Sequence, residues 1–232
     1  MKWQDLVEQL FGSRHNIVAE GDFLNGTAQF DGTTLSIFGT TNHAAIGVEM
    51  ALKQARVVLD VIDRHPGRAI LLLIDTQGQQ LRRRDELLGI NRAMAHLGCC
   101  IDMSRKRGHR VMGLVYDQAI SGGFITSGLI ADACYALPDA EIRVMRIPAM
   151  ARVTKIAEDR LSELSVANPV FAPGVQNYVA MGGVRGLWRG DLQCCLREAL
   201  AHAPVTDERA RDGAARGGRK LAAAVVEQVL AA

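Results

Sequence analysis

Residues 75–79 read Asp-Thr-Gln-Gly-Gln and follow the apolar run 69–74; residues 121–123 read Ser-Gly-Gly and follow a second apolar run ending at Tyr116. Loops after buried strands are where α/β proteins place their sites. A helix is expected to begin at once after the second run, so the amides near Gly122, Gly123 and Phe124 have no intrahelical partner. Glycine lets a ligand oxygen approach the backbone closely, and a helix N-terminus favours negative charge. Such amides could stabilise the oxyanion of an enolate or a tetrahedral intermediate. The same residues leave a second reading open. The glycine pair can serve only to turn from strand to helix, with Thr126, Ser127, Gly128 and Ala131 behind it allowing close packing.

Other chemistries find less support. The chain has no G-x-x-x-x-G-K-[ST] and no G-x-G-x-x-G after a strand, which argues against a nucleotide cradle. Residues 119–123 resemble a nucleophile elbow with Ala119 in place of the first glycine, but spacing assigns no acid to any of the six histidines (15, 43, 65, 96, 109, 202), so a serine hydrolase is the weaker reading. His43 and His96 read as helix caps or surface residues. The stretch 81–86, Leu-Arg-Arg-Arg-Asp-Glu, reads as a solvated loop and helix entry, although three arginines beside a glycine loop could hold a carboxylate or phosphate. Five cysteines, four of them in adjacent pairs, show neither C-x-x-C nor metal-ligand spacing. They read as reduced, buried thiols of a cytoplasmic protein, with no metal implied.

The elements that must position these loops follow from the hydrophobic pattern. A chain of 232 residues, 48% hydrophobic and 22% charged, can bury a sizeable core. A net charge of +2 with mixed signs gives no field for nucleic acid, and no apolar run is long enough for a bilayer. The first fifteen residues carry acids inside their apolar pattern, unlike a signal peptide. Residues 27–40 read as a hairpin turning at Asp31-Gly32. Thr41 or Asn42 is expected to cap a helix from 43 to 65, ended by Pro66-Gly67. Strands are expected at 69–75 and 110–116, with 76–84 as a loop, a helix over 85–98, and two short strands around Pro138-Asp139. Beyond 150 the pattern gives helices interrupted by Pro169, Pro173 and Gly182-Gly183, a helix over 191–203, a polar linker from 206, and a short apolar C-terminal helix. The alternation predicts a single α/β domain over 1–205 with mostly parallel pairing, followed by linker and helix over 206–232.

Four stretches carry a family resemblance: "FGTTNHAAIGVEMAL", "DTQGQ", "AISGGFITSGL" and "NPVFAPGVQNYVAMGG". The segments around 75–79 and 117–132 resemble the glycine-bearing loops of biotin-dependent carboxyltransferases, and the whole chain is similar to the gamma-subunit family of biotin-independent malonate decarboxylases. The resemblance implies a crotonase-like spiral of β-β-α turns. It implies Gly78, Gly122 and Gly123 as catalytic amide donors and Gln77, Gln79, Ser121 and Phe124 as substrate contacts. Gln77 stands where carboxyltransferases usually carry proline and Gln79 where they carry an apolar residue, which suits a site that binds no biotin. The implied partners are a beta subunit, sharing a site at the interface, and an acyl carrier protein whose CoA-derived prosthetic arm presents a malonyl thioester. No cofactor bound by this chain is implied. Two other classes remain open: a self-sufficient acyl-CoA hydratase or hydrolase using Asp117 or Glu86, and a non-catalytic subunit that only completes an interface.

Overall fold

The hairpin at Asp31-Gly32 is present in the computed structural model of the chain, which describes residues 1–167 and 174–232. Asp31 and Gly32 adopt φ of 45° and 76°, the paired positive values whose twist matches a two-residue hairpin. The turn joins β2 (Phe23–Phe30) to β3 (Thr33–Thr40), and β1 (Val18–Glu20) adds an antiparallel edge to β2. From β3 onward the pairing is parallel through β5 (Ile70–Gln79), β6 (Val111–Ile120), β7 (Ala133–Ala136) and β9 (Gly186–Leu187).

Both faces of this sheet are covered, which explains its uninterrupted apolar runs. Leu71, Leu73, Met112 and Leu114 face a core shared with Leu6, Leu10 and Phe11 of α1 (Trp3–Phe11) and Leu192 and Leu196 of α9 (Leu192–Ala201). Ile70, Leu72, Val111 and Val115 face the opposite core, with Val58 and Val61 of α2 (Val48–Arg64) and Leu97 and Ile101 of α4 (Ile90–Lys106).

Two strands change partners part-way along, and this places the site. β5 pairs with β3 over residues 70–73 and with β4 (Ala44–Ile46) over 76–79, and its register against β6 shifts between Ile74 and Thr76. β6 pairs with β7 over 112–115 and with β8 (Glu141–Arg143) over 118–120. Residues 76–79 are therefore strand, not the loop expected from their polar composition; backbone pairing with β4 overrides the side-chain pattern.

The expected helix from 43 is corrected in the same way. Residues 44–46 form β4, Asn42 and His43 both have positive φ, and α2 starts only at Val48 with Gly47 as its uncapped N-terminal residue. The cap comes from a distance: Asp85 Oδ1 accepts the Val48 amide at 3.0 Å. Asp85 lies in α3 (Arg83–Leu87), which Gly89 at φ 76° separates from α4. α4 runs through Gly98 to Lys106, past the end expected there. The two short strands around Pro138-Asp139 are β7 and β8.

In the C-terminal part α6 (Ile147–Thr154), α7 (Glu158–Ala167) and α8 (Val175–Ala180) alternate with breaks at Lys155 and Gly182. Pro169 and Pro173 lie outside the described residues. The helix expected at 191 is α9, whose Asp191 side chain accepts the amides of Gln193 and Cys194. The polar linker expected from 206 contains α10 (Arg209–Ala215) instead. Its arginines dock it onto carbonyls: Arg209 on Leu129, Arg216 on Val179 and Val184, and just beyond it Arg219 on Met181. The apolar C-terminal helix is α11 (Ala222–Leu230), with none of its residues buried. Among the described residues no helix is long and apolar enough to cross a membrane.

Arg82 and the Val48 amide hold the Asp85 carboxyl below its ordinary value, Arg82 contributing most. A depressed carboxylate stabilises the fold above its unfolded pKa of about 3.9, and that stabilisation is lost as pH falls through the folded value. Urea denaturation at neutral pH is expected to show Asp85→Asn less stable than the wild type, and the gap should close in acid. A gap independent of pH would assign the loss to packing.

Candidate active-site cleft

The two strand ends that changed partners open onto a cleft of about 800 Å³. Gln77 and Gln79 of β5, Gln118 and Ile120 of β6, Ser121, Arg143 of β8, Arg146, and Asn42 and His43 line it. Loop 41–43 is held in place from below. The buried Tyr116 hydroxyl donates to the Thr40 carbonyl at 2.9 Å, and Asn42 Nδ2 donates to Asp22 Oδ1 at 3.0 Å. Burial pushes the Tyr116 phenol well above its ordinary pKa, so it is a fixed donor.

The expected site residues divide into two groups. Gln77, Gln79 and Ser121 line the cleft, as expected. Ser121 begins α5 (Ser121–Ile125) with φ at 55°, a left-handed conformation uncommon for a residue with a Cβ. Gly122 lies just behind this wall, and its amide donates to Gln79 Oε1 at 3.1 Å. A side-chain oxygen thus occupies the place where a substrate oxygen is expected. The other three lie deeper. The Gly78 amide donates to Thr76 Oγ1 at 3.0 Å, so it is already committed. Gly123 is buried against β4 and β5. A Cβ there would lie 2.9 Å from Ile46 Cγ1 and 3.0 Å from Thr76 Oγ1. The Phe124 ring is in the core, edge-on to Tyr178, and does not reach the cleft. Packing therefore bars a side chain at Gly123, while the Gly122 amide meets an exchangeable side-chain oxygen.

Two features were not legible from spacing. First, His43 is exposed, as its surface reading had it, rather than a helix cap: its Nε2 lies 3.7 Å from Asp75 Oδ1 and 3.5 Å from Asp117 Oδ2, and its amide donates to Asp75 Oδ2 at 2.9 Å. Burial pushes the Asp75 carboxyl above its ordinary value; the His43 amide opposes this and Asp117 adds to it. His43 lies just before β4, Asp75 within β5 and Asp117 within β6, so no local motif announces them. Second, Arg143 is buried and paired with Glu141, which also accepts from Gln118 Nε2 at 3.0 Å. Burial, then repulsion from Arg146, lowers the pKa of the Arg143 guanidinium. His96 is exposed, as its surface reading had it, and sits inside α4 rather than at its end, 3.6 Å from the Cys100 sulfur.

A family model described as malonate decarboxylase gamma subunit matches residues 41–232. A malonyl-S-ACP:biotin-protein carboxyltransferase from Malonomonas rubra is 34% identical over 151 residues, 61% of this chain and 52% of that protein, so the match spans about half of the relative's length. Among solved structures, a Pseudomonas malonate decarboxylase hetero-tetramer in complex with coenzyme A superposes with a TM-score of 0.81 at 24% identity, over 97% of this chain and 96% of the other. The transcarboxylase 12S structure superposes with a TM-score of 0.72 at 19% identity, over 87% of this chain and 41% of that one. These likenesses establish the crotonase-like carboxyltransferase fold.

The different surroundings of the two glycines are testable by stability alone. At Gly123 an added methyl meets backbone and β-branched side chain; at Gly122 it meets the mobile end of Gln79, at 2.9 Å. Gly123→Ala should cost about 1–3 kcal/mol, the range for overpacking a core, and Gly122→Ala clearly less in the same urea titration. Equal stabilities would mean that Gly123 has room the packing denies.

Proposed function

The chain belongs to the malonate decarboxylase gamma-subunit family, and from that premise we propose that it acts with a beta subunit to decarboxylate a malonyl thioester carried on an acyl carrier protein. The observation that carries this reading is the Gly122 amide, which already meets an oxygen at the wall of an open cleft. Loss of carbon dioxide from a malonyl thioester leaves an enolate, with its charge on the thioester oxygen. A fixed amide aimed at that oxygen stabilises the transition state more than the ground state. Gln79 Oε1 is a neutral acceptor on a rotatable side chain, so an enolate oxygen, a stronger acceptor, can displace it.

The remaining cleft residues fit the other end of the substrate. Arg143 and Arg146 give the cleft a cationic side that attracts and orients an anionic acyl group. Glu141 balances the Arg143 charge. The departing carboxylate is therefore oriented without being held so firmly that loss of carbon dioxide is opposed. Gln77 and Gln118 supply neutral donors. The chemistry calls for no biotin and no redox group on this chain.

The cleft rim supports a two-chain site. Leu81 and Val144 line the cleft and are largely exposed, apolar surface that a second subunit would cover. The five cysteines are free thiols, as a cytoplasmic enzyme would keep them, but only Cys100 and Cys134 are buried; Cys99 and Cys194 are exposed and Cys195 is half-buried, against the expectation that all five are buried.

The test is to assay this chain alone, with its beta subunit, and with malonyl-loaded acyl carrier protein. Activity is expected only from the pair and should be indifferent to avidin. Gln77→Ala should slow the pair by about ten- to a hundred-fold, the loss of one donor worth about 1–3 kcal/mol. Ser121→Ala should change the rate only slightly. Abolition by Ser121→Ala would make the serine a nucleophile, and avidin inhibition relieved by free biotin would make the complex a carboxyltransferase.

A further inference from the structure

We propose that His43, Asp75 and Asp117 form a divalent-cation site at the edge of the cleft, with Zn²⁺ the ion that the donor set fits. The chemistry proposed above does not require a metal, so the two readings stand or fall separately.

Three ligand atoms converge, one from each residue, all within 4.8 Å of one another. The spacing distinguishes a shared ion from a direct ion pair. His43 Nε2 stands 3.7 Å from Asp75 Oδ1 and 3.5 Å from Asp117 Oδ2. Both separations exceed the roughly 3.2 Å limit of a good N–H···O bond. Donors bound to a tetrahedral zinc at about 2.0–2.1 Å stand about 3.4 Å apart, close to both observed values.

Asp75 supplies an independent observation. Its side chain is buried, and Oδ1, the atom that faces His43, has no hydrogen-bond partner. A buried carboxylate oxygen without a partner is unfavourable, and coordination is one of the few arrangements that satisfies it. The other oxygen, Oδ2, takes the His43 amide, which fixes the carboxylate's direction. Charge points the same way. Two acids face a single imidazole, and among the described residues neither acid pairs with a lysine or arginine. A divalent cation would neutralise the excess negative charge. His43 and Asp117 remain about half exposed, which leaves the last coordination position to water or to an oxygen of a cleft ligand.

The experiment uses the full chain, stripped with EDTA and dialysed. Zn²⁺ titration by calorimetry and by thermal melting should show saturable binding of a single equivalent and a rise in Tm. Co²⁺ substitution should give visible d–d bands without the thiolate charge-transfer absorption that cysteine ligands would produce. Asp117→Asn and His43→Gln, checked for native circular dichroism, should each weaken Zn²⁺ at least about tenfold and abolish the Tm rise. Absence of binding would leave the cluster a histidine beside two acids and overturn the proposal. So would undiminished binding in Asp117→Asn, which would remove Asp117 from the ligand set, or a thiolate signature with Co²⁺, which would place the ion on the cysteines.

Discussion

The Thr76 hydroxyl is the point on which the site is built. It donates to the Ala44 carbonyl at 2.6 Å and accepts the Gly78 amide at 3.0 Å, and it is buried. It sits where β5, having left β3, takes up β4, and just past a register shift of β5 against β6. One hydroxyl thus ties β4 to β5, satisfies an amide left spare by the positive φ of Gly78, and presents a surface against which only a glycine fits at 123. Through these contacts α5 is seated on strand ends rather than on a mobile loop. A site carried by strands is held more firmly than one carried by loops.

That construction sorts the amides by availability. Gly78 gives its N–H to a hydroxyl fixed by the backbone, and no ligand can compete there without disturbing β4. Gly122 gives its N–H to the end of a glutamine side chain, which a ligand oxygen can replace. Gly122 therefore combines close approach with an exchangeable partner. Gln79 keeps the amide satisfied until then, so no buried donor is left unpaired in the meantime.

Much of the architecture was legible in the sequence. Asp31-Gly32 marked its hairpin, and the double-sided apolar runs marked β5 and β6, because turn chemistry and burial act locally. Residues 76–79 and 43–47 were misassigned for one common reason. Their polar or helix-like composition is overridden by pairing between β4 and the end of β5, a contact about thirty residues apart in sequence. Separation in sequence likewise hid His43 from Asp75 and, further still, from Asp117. The side chains of Gln77, Gln79 and Ser121 could be placed at the cleft from the pattern of strand followed by glycine. Arg143 could not, since three residues around a proline turn give no sign that they will return to β6. The segment from 209 read as a linker because its arginines look solvated in sequence, whereas in the fold they reach carbonyls on α8 and its neighbours.

The central claim is that a substrate oxygen takes the place of Gln79 on the Gly122 amide, in a cleft completed by a second subunit. A crystal structure of the two-subunit complex with a non-decarboxylating malonyl thioester analogue tests it most directly. The account predicts the thioester oxygen about 2.7–3.1 Å from the Gly122 nitrogen, the range for an oxyanion donor, with the Gln79 side chain turned away. An analogue bound elsewhere, with Gln79 still on Gly122, would contradict it.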